Sequence, residues 1–268
     1  EHREIYNIVR EFSTQISVAK HELFSNTEIL AKLDHYYAVA IWSNRTGATI
    51  PKIVNEPIVN LLKARHPLLI ETLGSVERVI PFDLELGKEF GILVISGPNT
   101  GGKTITLKTV GLLVLMAMSG LPISAEGDSQ IGMFEAIYAD IGDNQSLENS
   151  LSTFSSHIAN LKEMLESTEK KVLVLIDEIG SATDPEQGSA LGQVVMETLS
   201  RKEVLGVVTT HYTALKVFAE RDERCVNAAM QFDAENHVPT YQFSLGLPGN
   251  SFAIEVASRL GMSSEVIE

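Results

Sequence analysis

The stretch Gly91-Ile-Leu-Val-Ile-Ser-Gly-Pro-Asn-Thr-Gly-Gly-Lys-Thr104 decides how the rest of the chain is read. Its first half, Ile92 to Ile95, is a short unbroken apolar run of the kind that forms a buried strand. Its second half, Gly97, Pro98, Asn99, Thr100, Gly101, Gly102, Lys103 and Thr104, fits G-x-x-x-x-G-K-[ST] at every fixed position. From Lys103 onward, Leu107, Val110, Gly111 and Val114 recur at helical spacing. Strand, glycine loop and helix start together form the setting that a phosphate-binding loop requires. Gly101 and Gly102 let the backbone pass close to an anion, and the free N–H groups of the helix start point at it. Lys103 brings positive charge to the β- and γ-phosphates, the Thr104 hydroxyl suits Mg²⁺, and Ile105 carries the loop onto the helix. The expected ligands are ATP or ADP with Mg²⁺.

Hydrolysis of a γ-phosphoryl group needs neutralised charge, a positioned water and a group to orient or deprotonate that water. Val172 to Ile176 reads as a central parallel strand buried on both faces, and it ends in Asp177-Glu178. Val204 to Thr210 reads as another strand, ending at His211. Open α/β sheets gather their ligands at the carboxyl ends of strands. Asp177 is accordingly expected to hold Mg²⁺ through a water, Glu178 to act as general base, and His211 to meet the γ-phosphate or the attacking water. A lone acidic pair is usually a solvated turn and a lone histidine usually structural; their positions after buried strands favour the catalytic reading.

Working outward, Ile5, Ile8, Val9, Phe12 and Ile16 share one helical face, and a second periodic segment runs from about His21 to Ser43. Core packing is the favoured use of that stripe. Asn44 to Pro57 is polar and turn-rich, which places a boundary there: a helical segment over 1–50 and an α/β domain over 51–268. Val79 to Leu86 alternates like a strand, and the Leu86-Gly-Lys turn predicts that it pairs with the loop strand as an antiparallel hairpin. Phe134 to Ile141 and Tyr241 to Leu245 read as strands. Helices are expected to open at Ser150 to His157, to follow Gly180 to Gly188, and to run through Phe252, Val256 and Leu260.

The chain has 268 residues, 44% of them hydrophobic and 21% charged, and so has ample material for a core. A single cysteine, Cys225, excludes an internal disulfide and suits a reducing cytoplasm. The longest apolar window, Val110 to Ile123, is interrupted by Gly111, Gly120 and Pro122, so no membrane span is expected. The formal net charge of −14 argues against a surface that neutralises nucleic-acid phosphates by itself. Glu1 at one end and Ser263-Ser-Glu-Val-Ile-Glu268 at the other lead to the expectation of a piece of a longer protein.

The phosphate loop, Arg65-His-Pro67, Ser152-Thr-Phe154, Asp177-Glu-Ile-Gly180 and Thr210-His-Tyr212 together resemble the MutS family of DNA mismatch-repair ATPases. Thr100, Asp140-Ile-Gly-Asp-Asn-Gln-Ser146, Leu151 to His157, Thr183-Asp-Pro185 and Leu247 to Glu255 are similar to its second branch, MutS type II. The resemblance spans Leu61 to Glu268 and extends more weakly to the two leading helices. It implies a P-loop ATPase of ABC type: a mostly parallel central sheet flanked by helices, with an antiparallel hairpin edge, preceded by part of a helical lever. It also implies a homodimer in which Ser152 and Thr153 complete the partner's nucleotide site, Asp184 crosses the interface and Asn99 stands beside the γ-phosphate. Relatives in this branch act on branched DNA to restrain homologous recombination, and some act on collided ribosomes. The chain departs from the family at Ala182, where glycine is usual, and the adenine-stacking pair is unmatched: Val79 and Ile80 are apolar candidates for one face only. A transporter-like ABC ATPase would carry Leu-Ser-Gly-Gly, absent here. A scaffold with incidental hydrolysis is the remaining rival, as nucleotide binding alone could hold a dimer.

Overall fold

The computed structural model describes residues 1–98, 101–142, 150–167, 171–181, 183–233 and 238–246. The chain divides into two compact units, Glu1–Asn44 and Arg45–Glu268. Helices α1 (His2–Val18) and α2 (Lys20–Thr46), joined at Ala19, account for the first unit. The stripe of α1 is amphipathic as expected, yet Ile5, Val9, Phe12 and Ile16 stay exposed and α1 buries no residue. Two helices offer too little surface to enclose an apolar face of that width, so core packing within this unit is not what the stripe does.

The second unit is built on a six-stranded sheet and a smaller four-stranded one. The larger contains β4 (Ile92–Ser96), β6 (Ala136–Asp140), β7 (Val172–Ile176), β8 (Leu205–Thr209), β9 (Cys225–Asp233) and β10 (Val238–Leu245). Their order is β10-β9-β4-β8-β7-β6; all neighbours are parallel except β10, which runs antiparallel along β9 at the edge. The smaller has β1 (Lys52–Val54), β2 (Val59–Ala64), β3 (Phe82–Leu86) and β5 (Gln130–Gly132), in the order β1-β5-β2-β3. The fold is thus mixed α/β with a mostly parallel sheet flanked by helices.

Side-chain alternation in β4 shows why the sheet is covered on both sides. Leu93 and Ile95 point into a core with Leu84 and Leu86 of β3, Leu107, Val110 and Val114 of α4 (Lys103–Met118), and Leu173 and Leu175 of β7. Ile92 and Val94 point into a second core. There they meet Val174 and Ile176 of β7 with residues of α5 (Ser150–Glu166), α6 (Pro185–Arg201) and α7 (Thr213–Arg221). Both layers are fully buried, and each such aliphatic side chain contributes about 1.5–3 kcal/mol. Gly111 brings α4 against β7: a Cβ there would stand 2.5 Å from Leu175 Cδ1.

The expected hairpin between Val79–Leu86 and the loop strand is not formed. β3 pairs antiparallel with β2, and β4 is flanked by β8 and β9 on its two edges. The physical reason is burial. A strand with all five residues buried is stabilised most as a central strand, and the turn at Gly87, whose N–H donates to Phe90 O, passes the chain from one sheet to the other. Leu61 ends up inside β2, between Arg65-His-Pro67 and the turn at Pro57. The helix through Phe252, Val256 and Leu260 lies outside the described residues. Cys225 opens β9 buried, and burial with the Asp222 carboxylate nearby pushes its thiol up to about 12, so it is an inert apolar side chain at neutral pH. Among the described residues no helix is long and apolar enough to cross a membrane.

Candidate functional site

The site forms where β4, β7 and β8 end. After Ser96 the chain turns through Gly97 and Pro98, both buried, and the Gly101 N–H donates to Pro98 O at 3.0 Å. Asn99 and Thr100 lie outside the described residues. Gly102 is the N-cap of α4 and has φ +98°, a left-handed geometry that any side chain would strain. The loop rests on Met230 of β9: a Cβ on Gly97 or Gly101 would stand 3.2 Å from Met230 Cβ. Met230 is a support that motif reading missed. Its only signal is its place in a strand, β9, whose mixed polar and apolar residues show no clean period.

Lys103 is 2% exposed, and its Nζ donates to Gly97 O at 2.8 Å. Burial pulls its ammonium below the usual lysine range, and the carboxylates of Glu178 and Asp177 pull the other way. The three residues, 74 or 75 positions apart in sequence, therefore share one electrostatic site. A cation buried this deeply at the start of a helix is suited to receive an anion.

The turn after β7 is held in one conformation from several sides. The Thr209 hydroxyl donates to Asp177 Oδ1 at 2.5 Å and accepts from Glu178 N–H at 2.8 Å. Asp177 N–H donates to Asp140 O at 2.9 Å, and Ile179 N–H to Thr209 O at 3.3 Å. Glu178 has φ +49°, a left-handed geometry that costs a non-glycine residue roughly 1–2 kcal/mol. Such strain persists only where the surroundings over-determine it. Here the hydrogen bonds at Asp177, Glu178 and Ile179 hold it. Gly180 follows with φ +81° and packs so closely on Gly188 of α6 that a Cβ would stand 2.3 Å from Gly188 O. Tyr212 Oη closes the same turn by donating to Gly180 O at 3.1 Å. Tyr212 belongs to the Thr210-His-Tyr212 motif, whereas Thr209, two residues before His211, escaped the motif reading.

His211 is exposed just past β8, its ring 4.2 Å from that of Tyr212. Asp184 is the N-cap of α6, its side chain accepting from Glu186 and Gln187 N–H. Ser152 and Thr153 fall in the first turn of α5, and their side chains, like Ala182, lie outside the described residues.

Beside the loop a cavity of about 480 Å³ is lined by His66, Val79, Ile80, Phe82, Gly102, Thr104, Ile105, Met230 and Tyr241, among others. Thr104 and Ile105 open it to the phosphate loop, and its walls are mostly apolar. Val79 and Ile80, the apolar candidates for one face of a base, are among its lining residues, and His66, Phe82 and Tyr241 add rings. Burial lowers the His66 imidazole below its ordinary value, so it stands neutral there. Tyr241, with φ +57°, sits in the register shift between β9 and β10, which turns that part of β10 toward the loop.

Among the described residues no group of three or more His, Cys, Asp or Glu side chains could hold a metal alone. One carboxylate at Asp177 and one hydroxyl at Thr104 are the donor set of an ion that takes its other ligands from phosphate oxygens and water. Mg²⁺ fits those residues.

Residues 93–268, more than half of the chain, match MutS domain V, a P-loop ATPase domain. Proteins named Endonuclease MutS2 match the whole chain: 46% identical in Caldanaerobacter subterraneus, over 33% of that protein's length. The figures are 44% and 33% in Caldicellulosiruptor saccharolyticus, and 43% and 34% in a Geobacillus species. The chain thus spans about a third of the length of the curated relatives it matches. By the domain match and these relatives, the chain belongs to the MutS family, in its type II branch, and carries the ATPase domain, domain V.

Proposed function

We propose that this chain is the ATP-binding and ATP-hydrolysing engine of a MutS type II protein. The observation that carries the reading is the convergence of Lys103, Asp177 and Glu178 at the carboxyl ends of β4 and β7, parallel strands on either side of β8, on a loop already shaped for an anion. Backbone N–H groups of the loop from Asn99 and Thr100 to Thr104 wrap the phosphates, and Lys103 neutralises them. The adenine enters the cavity beside Ile105, against Ile80 and between the rings of His66, Phe82 and Tyr241, where apolar walls exclude water. Thr104 and Asp177 hold Mg²⁺, which supplies charge neutralisation at the β- and γ-phosphates when bound. Thr209 fixes the orientation of the Asp177 carboxylate by its hydrogen bond. Glu178, fixed in its turn, takes a proton from the attacking water, and His211 orients the γ-phosphate or that water.

The working unit we infer is a homodimer in the cytoplasm. The first turn of α5, with Ser152 and Thr153, completes the partner's site, and the loop capped by Asp184 crosses the interface. The helices of 1–50 are part of the lever that passes the nucleotide state onward. The substrate of the whole protein is branched DNA, whose processing restrains homologous recombination. The acidic charge of this chain supports a DNA contact made mostly by other segments of the longer protein.

Sedimentation velocity on the full-length protein tests the composite site. With Mg²⁺ and a non-hydrolysable ATP analogue, the ATPase domains of the wild type are expected to close into a more compact dimer than with ADP, and Ser152→Ala to abolish that difference. Identical sedimentation in both nucleotides would contradict a site completed in trans.

A further inference from the structure

We propose that Asp140, His157 and Asn160 form a clamp that locks α5 to the catalytic turn after β7 and sets the rate of hydrolysis without touching the nucleotide. The proposal rests on the ATPase reading above. Asp140 is the last residue of β6, in register with Ile176, and its carbonyl accepts the Asp177 N–H. Its carboxylate is buried, the residue being 5% exposed, and is met by two donors from α5. Nδ1–H of His157 donates to Oδ2 at 2.6 Å, and Nδ2–H of Asn160 to Oδ1 at 3.0 Å. A carboxylate can only accept, so the proton sits on Nδ1 of His157. The two donors are three residues apart and share one face of the helix.

Packing alone does not ask for this arrangement. The apolar face of α5 is already served by Ile158, Leu161, Met164 and Leu165, which sit in the second core. Apolar residues at 140, 157 and 160 would bury as well, because a buried ion must first be stripped of water. Directional bonds give what apolar contacts lack. They fix the rotation of α5 about its axis and its slide along β6, which an apolar stripe leaves loose. Two parts of the site depend on that position. His157, Asp140, Glu178 and Gly180 line one small cavity, so the clamp adjoins the catalytic turn directly. Ser152 precedes His157 by five residues on the same helix, about 7 Å along its axis. A displacement of about 1 Å at reacting groups can lower a rate ~100-fold, so a loosened α5 is felt in both places.

The test is steady-state turnover of Mg²⁺-ATP, with ADP affinity measured in parallel, in the full-length protein. His157→Ala is expected to lower kcat roughly 10- to 100-fold, with KM and ADP affinity within about twofold of wild type. His157→Asn, whose amide can reach the same carboxylate oxygen, is expected to recover most of the rate. The pair His157→Ala with Asp140→Asn is expected to fall no further than the worse single change. If His157→Ala does not fold, Asn160→Ala removes one of the two bonds and is expected to show the same split with a smaller loss. An unchanged kcat in His157→Ala overturns the clamp. So does an equal loss of ADP affinity, or a His157→Asn protein no better than His157→Ala, since either would mean a structural role only. A wild type that turns over no ATP would sink the hydrolysis reading and this role together, whereas active wild type with active His157→Ala sinks this role alone.

Discussion

Glu178→Gln is expected to bind Mg²⁺-ATP as tightly as the unchanged protein and to hydrolyse it about 100- to 10,000-fold more slowly, the usual span for loss of a general base. The substitution conserves shape and hydrogen-bonding length, so the turn should survive it. The turn is held through backbone groups: Glu178 N–H on Thr209 Oγ1, Ser181 N–H on Glu178 O, Asp177 N–H on Asp140 O. None of these uses the carboxylate. The residue already occupies a left-handed backbone geometry, which glutamine tolerates as glutamate does. Single-turnover release of labelled phosphate, together with equilibrium binding, separates the two effects. Wild-type turnover in Glu178→Gln would remove the residue from the role of base and leave His211 as the nearest alternative.

Lys103→Met is expected to lower nucleotide affinity at least about 10-fold, because one or two hydrogen bonds from a charged donor, ~1.5–3 kcal/mol each, are lost from the phosphates. Its effect on the empty protein should run the other way. Burial holds the Lys103 ammonium below its ordinary value, so below that folded value the lysine is charged in both states and the folded state bears the desolvation penalty. The penalty shrinks as pH rises through the folded value and is gone above 10.5, the unfolded one. It is fully present at any pH below the folded value. Methionine fills a similar volume without charge and removes the hydrogen bond to the Gly97 carbonyl. The melting temperature without nucleotide should therefore stay level or rise, while the upward shift on adding ADP disappears. A Lys103→Met protein that still gains stability from ADP would contradict the account, and one that simply melts earlier would assign Lys103 to structure.

How far the sequence could be read depended on how local each feature is. The strand Ile92–Ser96, the loop and the start of α4 are contiguous, and their chemistry is written in consecutive residues. β7 and β8 were legible for a related reason: Val172–Ile176 and Leu205–Thr209 are buried on both faces, so β7 is an unbroken apolar run and β8 is polar only at its final Thr209. β9 was not, because Asn227 and Gln231 interrupt it, and its importance lies in Met230 packing under the loop. The misassigned hairpin shows the limit of reasoning from turns. Leu86-Gly-Lys is a good turn, but which strand follows it into the sheet was settled by β8 and β9 competing for both edges of β4. The base cavity was beyond reach for the same reason, since His66, Phe82 and Tyr241 approach from β2–α3 (α3, Pro67–Leu73), β3 and β10. Thr209 was missed although it neighbours the motif: nothing in a threonine at a strand end announces that it holds Asp177 and Glu178 at once.

A crystal structure of the protein with Mg²⁺ and a non-hydrolysable ATP analogue tests the central claim most directly. The account predicts the phosphates against Gly97–Thr104 with Lys103 Nζ turned from Gly97 O toward them. It predicts the metal between Thr104 and Asp177, a water beside Glu178, and the adenine in the cavity walled by Ile80, Phe82 and Tyr241. Phosphates bound elsewhere, or a loop that keeps Lys103 on Gly97 O with the analogue present, would contradict it.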